Sequence, residues 1–445
     1  MPLMLSLPPE RASRIYLHPL HQETVGTLTA LITSLRQCRS HADFFEFQQD
    51  LLERVLAVQG HRGECRRVAA LLRQDKKVPA DAPELRSAEP ATDPDSWALE
   101  ADVCERVDRQ LRSIADALAW RAFSHNRAVI VGLSRNQHPG PMVNKEGLAA
   151  ERAFVIEQWH ENHHFVLLHD LTSCLSIGDA TLFKQIGTEY EAYLHEIKSD
   201  SGRKVSRQQR RKRMAEEAIR SGGPLPGKLA GRLIQLDIPY KTHLELLNAA
   251  FDLAHKRGVQ GMKVPGGRSL LASDIVRGYN LWSEQGFLHH TAQEHLQATK
   301  RAGILHRGHL VYMRSDDFVA RSPTSPPWAI YPLPPAVCAR LITDYALFLV
   351  TMASEPLLEA LEDAGLSAEW ILPRSQDVVE QDEVVVRIHG PARTLELRWS
   401  EVQRRLLLEL ADLPTWAASV AELSDRTDIG PHPWPLFRDE QKVWR

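Results

Sequence analysis

Cysteine is scarce and forms no pattern: Cys38, Cys65, Cys104, Cys174 and Cys338 are odd in number, scattered, and never spaced Cys-x-x-Cys. That excludes the paired-thiol zinc ribbon and makes a disulfide framework improbable on arithmetic alone, so a reducing, cytoplasmic setting is the expectation. Long apolar runs are also missing. The longest, Tyr345 to Ala353, is closed off by Asp344 and Glu355, far short of the roughly 20 residues a membrane helix needs. No membrane partner is expected. The opening Met-Pro-Leu-Met-Leu-Ser-Leu-Pro-Pro-Glu has no basic lead and too short an apolar stretch, so no secretion signal is expected either. Internal repeats are absent. A complete phosphate loop is lacking too: Gly222-Gly-Pro-Leu-Pro-Gly-Lys228 has the lysine, but Leu229 stands where a hydroxyl must reach Mg²⁺, and the segment follows a helix pattern where a phosphate loop follows a strand. It reads as a turn.

What is present is a chain of 445 residues, 43% hydrophobic, long enough to bury at least two cores. Its net charge of -3 conceals segregation. Residues 81 to 108 hold nine acidic against two basic residues, and 355 to 383 hold nine against one. Residues 203 to 213 are the reverse: Arg203, Lys204, Arg207, Arg210, Arg211, Lys212 and Arg213 occur with no acid among them. A protein that engages a polyanion through one groove has this distribution.

Apolar spacing gives helices over 20 to 75 and 97 to 124, with Leu28, Leu31, Ile32 and Leu35 on one face and a polar break from Pro79 to Pro94. Arg127 to Leu133 reads as a strand. A helix from Asn144 to Trp159 follows, then a strand over His164 to His169. Ser206 to Ser221 is a helix, Leu229 to Ile238 a strand, and His243 to Arg257 a helix. The stretch Ser322 to Pro335 is too proline-rich for regular structure and is expected to be a linker. Beyond it come helices over 336 to 364, a hairpin from Glu383 to Trp399 and a helix from Ser400 to Leu413.

The chemistry concentrates in two β-type runs joined by a short turn with Gly187: Leu175-Ser-Ile-Gly-Asp-Ala-Thr-Leu-Phe183 and Tyr190-Glu-Ala-Tyr-Leu-His-Glu-Ile-Lys-Ser199. Side chains alternate along a strand, so Glu196 and Lys198 share a face and Ile197 takes the other. Asp179, Glu196 and Lys198 then meet at one end of a sheet. Two carboxylates suit Mg²⁺ or Mn²⁺, hard ions that prefer oxygen; such an ion polarises a phosphate and acidifies water, and an ammonium stabilises the charge that develops. Four nearby histidines, His160, His163, His164 and His169, lack the flanking glutamate or cysteines of a zinc site and read as structural or substrate-contacting.

Ile177-Gly178-Asp179 followed by Glu196-Ile197-Lys198 resembles the PD-(D/E)XK nuclease superfamily, with glycine in place of the nominal proline. The helix Lys145-Glu-Gly-Leu-Ala-Ala-Glu151 resembles the first core helix of its resolvase branch. The resemblance implies Asp179 and Glu196 as metal ligands with the Ile197 carbonyl as a third, Lys198 as charge stabiliser, and Glu151 as an auxiliary ligand ahead of Glu157 and Glu146. It implies an α/β nuclease core, a mixed central sheet flanked by helices, over 126 to 275. Around it stand a helical N-terminal region (1 to 125), a helical extension with the linker (276 to 335) and a small α+β C-terminal domain (336 to 445).

The basic run would neutralise phosphates, with Arg203, Lys204, Arg207, Arg210, Arg211 and Arg213 as contacts and Gln208 and Gln209 beside the active site by resemblance. The expected function is a metal-dependent endonuclease of nucleic acid, DNA first, reminiscent of anti-phage effectors, with a protein partner or second copy engaged by the terminal regions. Two other readings stay open. One is a non-catalytic nucleic-acid-binding scaffold on a degenerate nuclease fold; the other is a helical interaction protein whose basic run meets an acidic partner.

Overall fold

The computed structural model describes residues 9–87, 89–134, 140–186, 189–197, 204–221, 232–315, 324–371, 383–427 and 433–444. The N-terminal third is helical as its spacing requires: α1 (Pro9–Leu17), α2 (Pro19–Gln37), α3 (His41–Leu72) and α4 (Pro94–Ala122). Ser40 and Asp43 form a reciprocal capping box that starts α3. Leu28, Leu31, Ile32 and Leu35 turn inward together. Helix α4 is buried on nearly every side, which makes it the axis around which the other elements collect.

Arg127 to Leu133, expected as a strand, is instead a helix, α5 (Arg127–Leu133). The Asn126 side chain caps it by accepting from the Ala128 N–H at 3.0 Å. Ile130, Val131 and Leu133 are fully buried, so packing overrides the strand preference of the β-branched pair. Next come α6 (Leu148–Asn162) and an antiparallel sheet in the order β1 (Phe165–Leu168), β2 (Ala180–Ile186), β3 (Glu189–His195). Helix α7 (Lys204–Ser221) and strand β4 (Arg232–Pro239) follow. The chain is thus a mixed α/β protein, but the expected single central sheet is divided. Strand β4 pairs in parallel with β12 (Pro433–Arg438) near the C-terminus, with Leu233 opposite Trp434, and the two form a separate sheet.

After α8 (Leu244–Arg257), a four-stranded antiparallel sheet takes β5 (Val259–Val264) and β6 (Arg268–Asp274). Two helices, α9 (Ile275–Leu281) and α10 (Glu284–Ala302), precede its edge strand β7 (Leu310–Arg314). Its remaining strand, β8 (Ala346–Ala353), lies between β6 and β7. This corrects the middle of the helical reading of 336 to 364, whose two ends are helices. Helix α11 (Pro335–Ile342) ends just before Asp344, whose φ of 58° is left-handed, and the apolar run after it is a strand flanked on both edges. Helix α12 (Ser354–Asp363), strands β9 (Ser367–Trp370), β10 (Val384–His389) and β11 (Thr394–Arg398), the short helix α13 (Trp399–Val402), a π-helical turn (Gln403–Leu408), α14 (Leu413–Ser424) and α15 (Glu440–Val443) complete the chain.

The proline-rich stretch, in its described part from 324 to 335, is a buried strap and not an exposed linker: Trp328, Tyr331 and Leu333 are at most 3% exposed. Pro327, Tyr331 and Pro334 have polyproline-like dihedrals, a conformation without internal hydrogen bonds. The Arg36 guanidinium supplies donors from α2, to the carbonyls of Ala329 (3.0 Å), Tyr331 (2.7 Å) and Leu333 (2.7 Å). Across the expected domain boundaries, β8 pairs with β6 and β12 with β4. One hydrophobic core runs from Ile15 to Trp444.

A buried ionic cluster ties these distant segments together. Glu409 accepts from both terminal nitrogens of Arg127 at 3.0 Å, from Arg405 at 3.1 Å and from the Tyr240 hydroxyl at 2.5 Å. Arg405 also donates to Glu440 at 2.8 Å. The adjacent arginines hold the Glu409 carboxyl below its usual range against the opposing effect of burial. Removing it leaves two buried guanidiniums with Glu440 as their one remaining shared carboxylate. Glu409→Ala is therefore expected to destabilise the protein by about 3–5 kcal/mol, measured by urea denaturation. A loss below about 1 kcal/mol would contradict a fully desolvated network.

Candidate metal centre

The three-stranded sheet carries the motif at one corner. Asp179 immediately precedes β2, and Glu196 immediately follows β3. The last ladder pair is Ala180 opposite His195, so Asp179 and Glu196 both stand just beyond the paired strands at the same end of the sheet. The Asp179 N–H donates to the His195 carbonyl at 2.9 Å. Its Oδ2 accepts from the Ile197 N–H at 2.7 Å. Both chain neighbours of Glu196 are thereby clasped by Asp179, and Glu196 is half-buried between them.

Gly178 precedes Asp179, and its backbone excludes proline there. Its φ is +79°, and a Cβ there would stand 3.2 Å from the His195 carbonyl oxygen. Proline, fixed near −65°, has no access to that conformation. The buried His169 ring holds the same turn, with Nδ1 3.1 Å from the Gly178 carbonyl and Nε2 2.7 Å from Thr181 Oγ1. A carbonyl only accepts, so Nδ1 carries the proton and Nε2 accepts from the threonine. Burial lowers the His169 pKa to about 4, which keeps this neutral tautomer. The His169 N–H also donates to the Asp179 carbonyl at 3.0 Å. Upstream, the buried Asp116 carboxylate of α4 accepts from the N–H groups of Ser173 (2.6 Å) and Cys174 (2.9 Å), fixing the approach to the turn.

Glu151 enters from the first turn of α6 and is 2% exposed, whereas Glu157 and Glu146 face solvent. Two further residues join it that sequence reasoning had not assigned. Lys145 Nζ donates to Glu151 Oε1 at 2.5 Å and to Asp170 Oδ2. Asp170 lies on the single 3₁₀ turn after β1, and its carbonyl accepts from Arg112 of α4 at 2.5 Å. No local pattern marks Asp170; only the return of the chain to α6 gives it a partner.

Burial raises the pKa of both Glu151 and Asp179. Lys145 opposes the shift at each, and the Ile197 N–H does so at Asp179, while Asp170 adds like-charge repulsion at both. Glu151 Oε2 is buried with no hydrogen-bond partner. These oxygen donors, one of them unsatisfied, suit a hard divalent ion. As the side chains stand, no group of three or more His, Cys, Asp or Glu among the described residues is assembled closely enough to hold a metal.

Lys198 and Arg203 lie outside the described residues, as does Gly222 to Lys228. Lys204, Arg207, Gln208 and Gln209 are on α7, but their side chains are not described. Arg210 and Arg213 are exposed and Arg211 is half-buried. Lys212 donates to the Leu194 carbonyl, which docks the basic helix against β3. Of the four histidines considered for zinc, His169 holds the Gly178 turn and His163 ends α6 in a left-handed conformation.

No protein-family model, curated protein or solved structure matches the chain. No helix among the described residues is long and apolar enough to cross a membrane.

The turn yields a direct test. Gly178→Ala is expected to cost about 1–2 kcal/mol from the left-handed backbone. Gly178→Pro should cost more because φ itself is forbidden. Denaturant titration ranks the two variants, and a proline variant as stable as wild type would contradict the positive φ.

Proposed function

We propose that the protein is a metal-dependent nuclease of the PD-(D/E)XK type, acting on DNA. The observation that supports this reading is the electrostatic contact of the buried Glu151 with Asp179 and Asp170, beside a backbone clasp in which Asp179 holds the chain on either side of Glu196. Asp179 and Glu196 would hold Mg²⁺ or Mn²⁺ with the Ile197 carbonyl, and Glu151 would assist. When bound, the ion supplies Lewis acidity toward a phosphate and lowers the pKa of water. The protein's own part is orientation. The Asp179 clasp on His195 and Ile197 aims Glu196, the His169 and Gly178 turn aims Asp179, and Lys198 two residues after Glu196 would stabilise charge on the cleaved phosphate.

The basic helix supports a polyanionic substrate. Arg210, Arg211 and Arg213 lie on a helix whose Lys212 is anchored to the motif strand, so phosphates bound there would lie near the carboxylates. Their contribution is electrostatic and independent of base sequence.

Purified full-length protein should cut supercoiled plasmid in Mg²⁺ or Mn²⁺ and stop in EDTA, with linear duplex, single strands and RNA as comparison substrates. Asp179→Ala, Glu196→Ala and Lys198→Ala are each expected to lower the rate on the order of 100-fold or more, and Glu151→Ala about 10-fold. Wild-type rates in either the Asp179 or Glu196 variant would reject the assignment. Binding without cleavage would favour the scaffold reading.

The basic run is tested separately. Replacing Arg210, Arg211 and Arg213 with alanine should weaken binding to every DNA sequence and flatten the log–log salt dependence by roughly 0.9 for each phosphate no longer neutralised. An unchanged slope would make this helix face a solvated surface.

A further inference from the structure

We infer that Lys145 is a tethered counter-cation which occupies the carboxylate site before a divalent metal does and must swing out for the metal to enter. The inference rests on the metal-centre reading above and adds its regulation. Lys145 Nζ bridges Glu151 and Asp170, bringing one positive charge to a corner that holds Glu151, Asp170 and Asp179. The second Glu151 oxygen remains buried and unpartnered. An ammonium thus satisfies the site incompletely. A divalent ion engages the same hard oxygens with twice the charge and at ligand distances near 2.0–2.1 Å for Mg²⁺, shorter than an ammonium hydrogen bond.

The backbone around Lys145 is pinned while its side chain has an exit. Lys145 N–H donates to the Met142 carbonyl at 3.0 Å, and Leu148 N–H donates to the Lys145 carbonyl at 3.1 Å. Gln59 Oε1 of α3 accepts from the N–H groups of Met142 (2.7 Å) and Val143 (3.1 Å). The Lys145 side chain is 32% exposed, against 3% for Glu151. Exchange therefore needs only a side-chain rotation toward solvent. Asp170, released from Lys145, becomes a further oxygen donor toward the ion. Metal affinity is then set by a competition in which the ammonium is always present at high effective concentration.

The test is calorimetric titration of full-length protein with Mn²⁺ alone, with plasmid cleavage followed in parallel. Lys145→Met is expected to bind Mn²⁺ at least about tenfold more tightly than wild type, because the competing charge is gone, and Glu151→Gln to bind it more weakly. Equal or weaker binding by Lys145→Met, or no Mn²⁺ binding by either protein, overturns the exchange. If Lys145→Met does not fold, wild-type protein decides. Acetic anhydride labelling followed by mass spectrometry should show Lys145 more reactive with Mn²⁺ than without, while Lys76 and Lys77 stay unchanged; no rise overturns the proposal. Tighter Mn²⁺ binding without cleavage under any condition would reject the nuclease reading and leave the exchange standing. Cleavage with unaltered Mn²⁺ affinity in Lys145→Met would do the reverse.

Discussion

Burying the Glu409 carboxylate commits the rest of the chain. An isolated carboxylate out of water is costly unless paired and hydrogen-bonded, and the groups that satisfy this one come from positions 127, 240 and 405, with Glu440 balancing the second arginine. Helix α5, the end of β4, the π-helical turn and the C-terminal helix must all be in place before the charge is compensated. The pairing of β12 with β4 and of β8 with β6 follows the same connectivity. The C-terminal residues are consequently structural partners of the segment that carries Asp179 and Glu196, and a fragment cut at residue 275 would lose partners of both β4 and β6.

Helix α4 transmits this framework to the candidate site. Along its buried faces Arg106 pairs with Asp344, Arg112 holds the Asp170 carbonyl, and Asp116 holds the loop at Ser173 and Cys174. Charged residues on a helix usually face solvent. Here several point inward because loops without their own ladder partners need donors and acceptors. The Asp179 turn thus rests on a helix more than fifty residues earlier in the chain, and its geometry is that of a supported loop end, the arrangement by which reactive side chains are held still.

The candidate site itself is a balance of like charges. Burial and mutual repulsion raise Glu151 and Asp179, and one lysine together with a backbone N–H oppose that rise. Such a site has a standing preference for added positive charge. A divalent cation and an ammonium are alternative answers to the same electrostatic demand, which links the proposed activity to the proposed exchange.

Local pattern was enough for the long N-terminal helices, whose apolar stripes repeat at 3.6 residues, for the hairpin from Val384 to Arg398, and for the hairpin between Asp179 and Glu196, although both of these residues stand just outside its strands and the stretch from Leu175 to Asp179 is a turn, not a strand. The preference for Glu151 over Glu157 rests on the resemblance of the segment from Lys145 to Glu151 and not on periodicity, and only the fold shows Glu151 buried. Elsewhere short-range periodicity was ambiguous. Arg127 to Leu133 and Ala346 to Ala353 are both short apolar runs, and one became a helix and the other a central strand because caps, left-handed residues and distant neighbours chose between conformations of similar local energy. The prolines of 324 to 335 announced a stretch with little regular structure, but not its burial, because the donors that make burial possible sit on Arg36, almost three hundred residues away. Asp170 and Lys145 became partners for the same reason: the sequence separates them by twenty-five residues, and only the packing of α6 against the sheet brings their charges into contact.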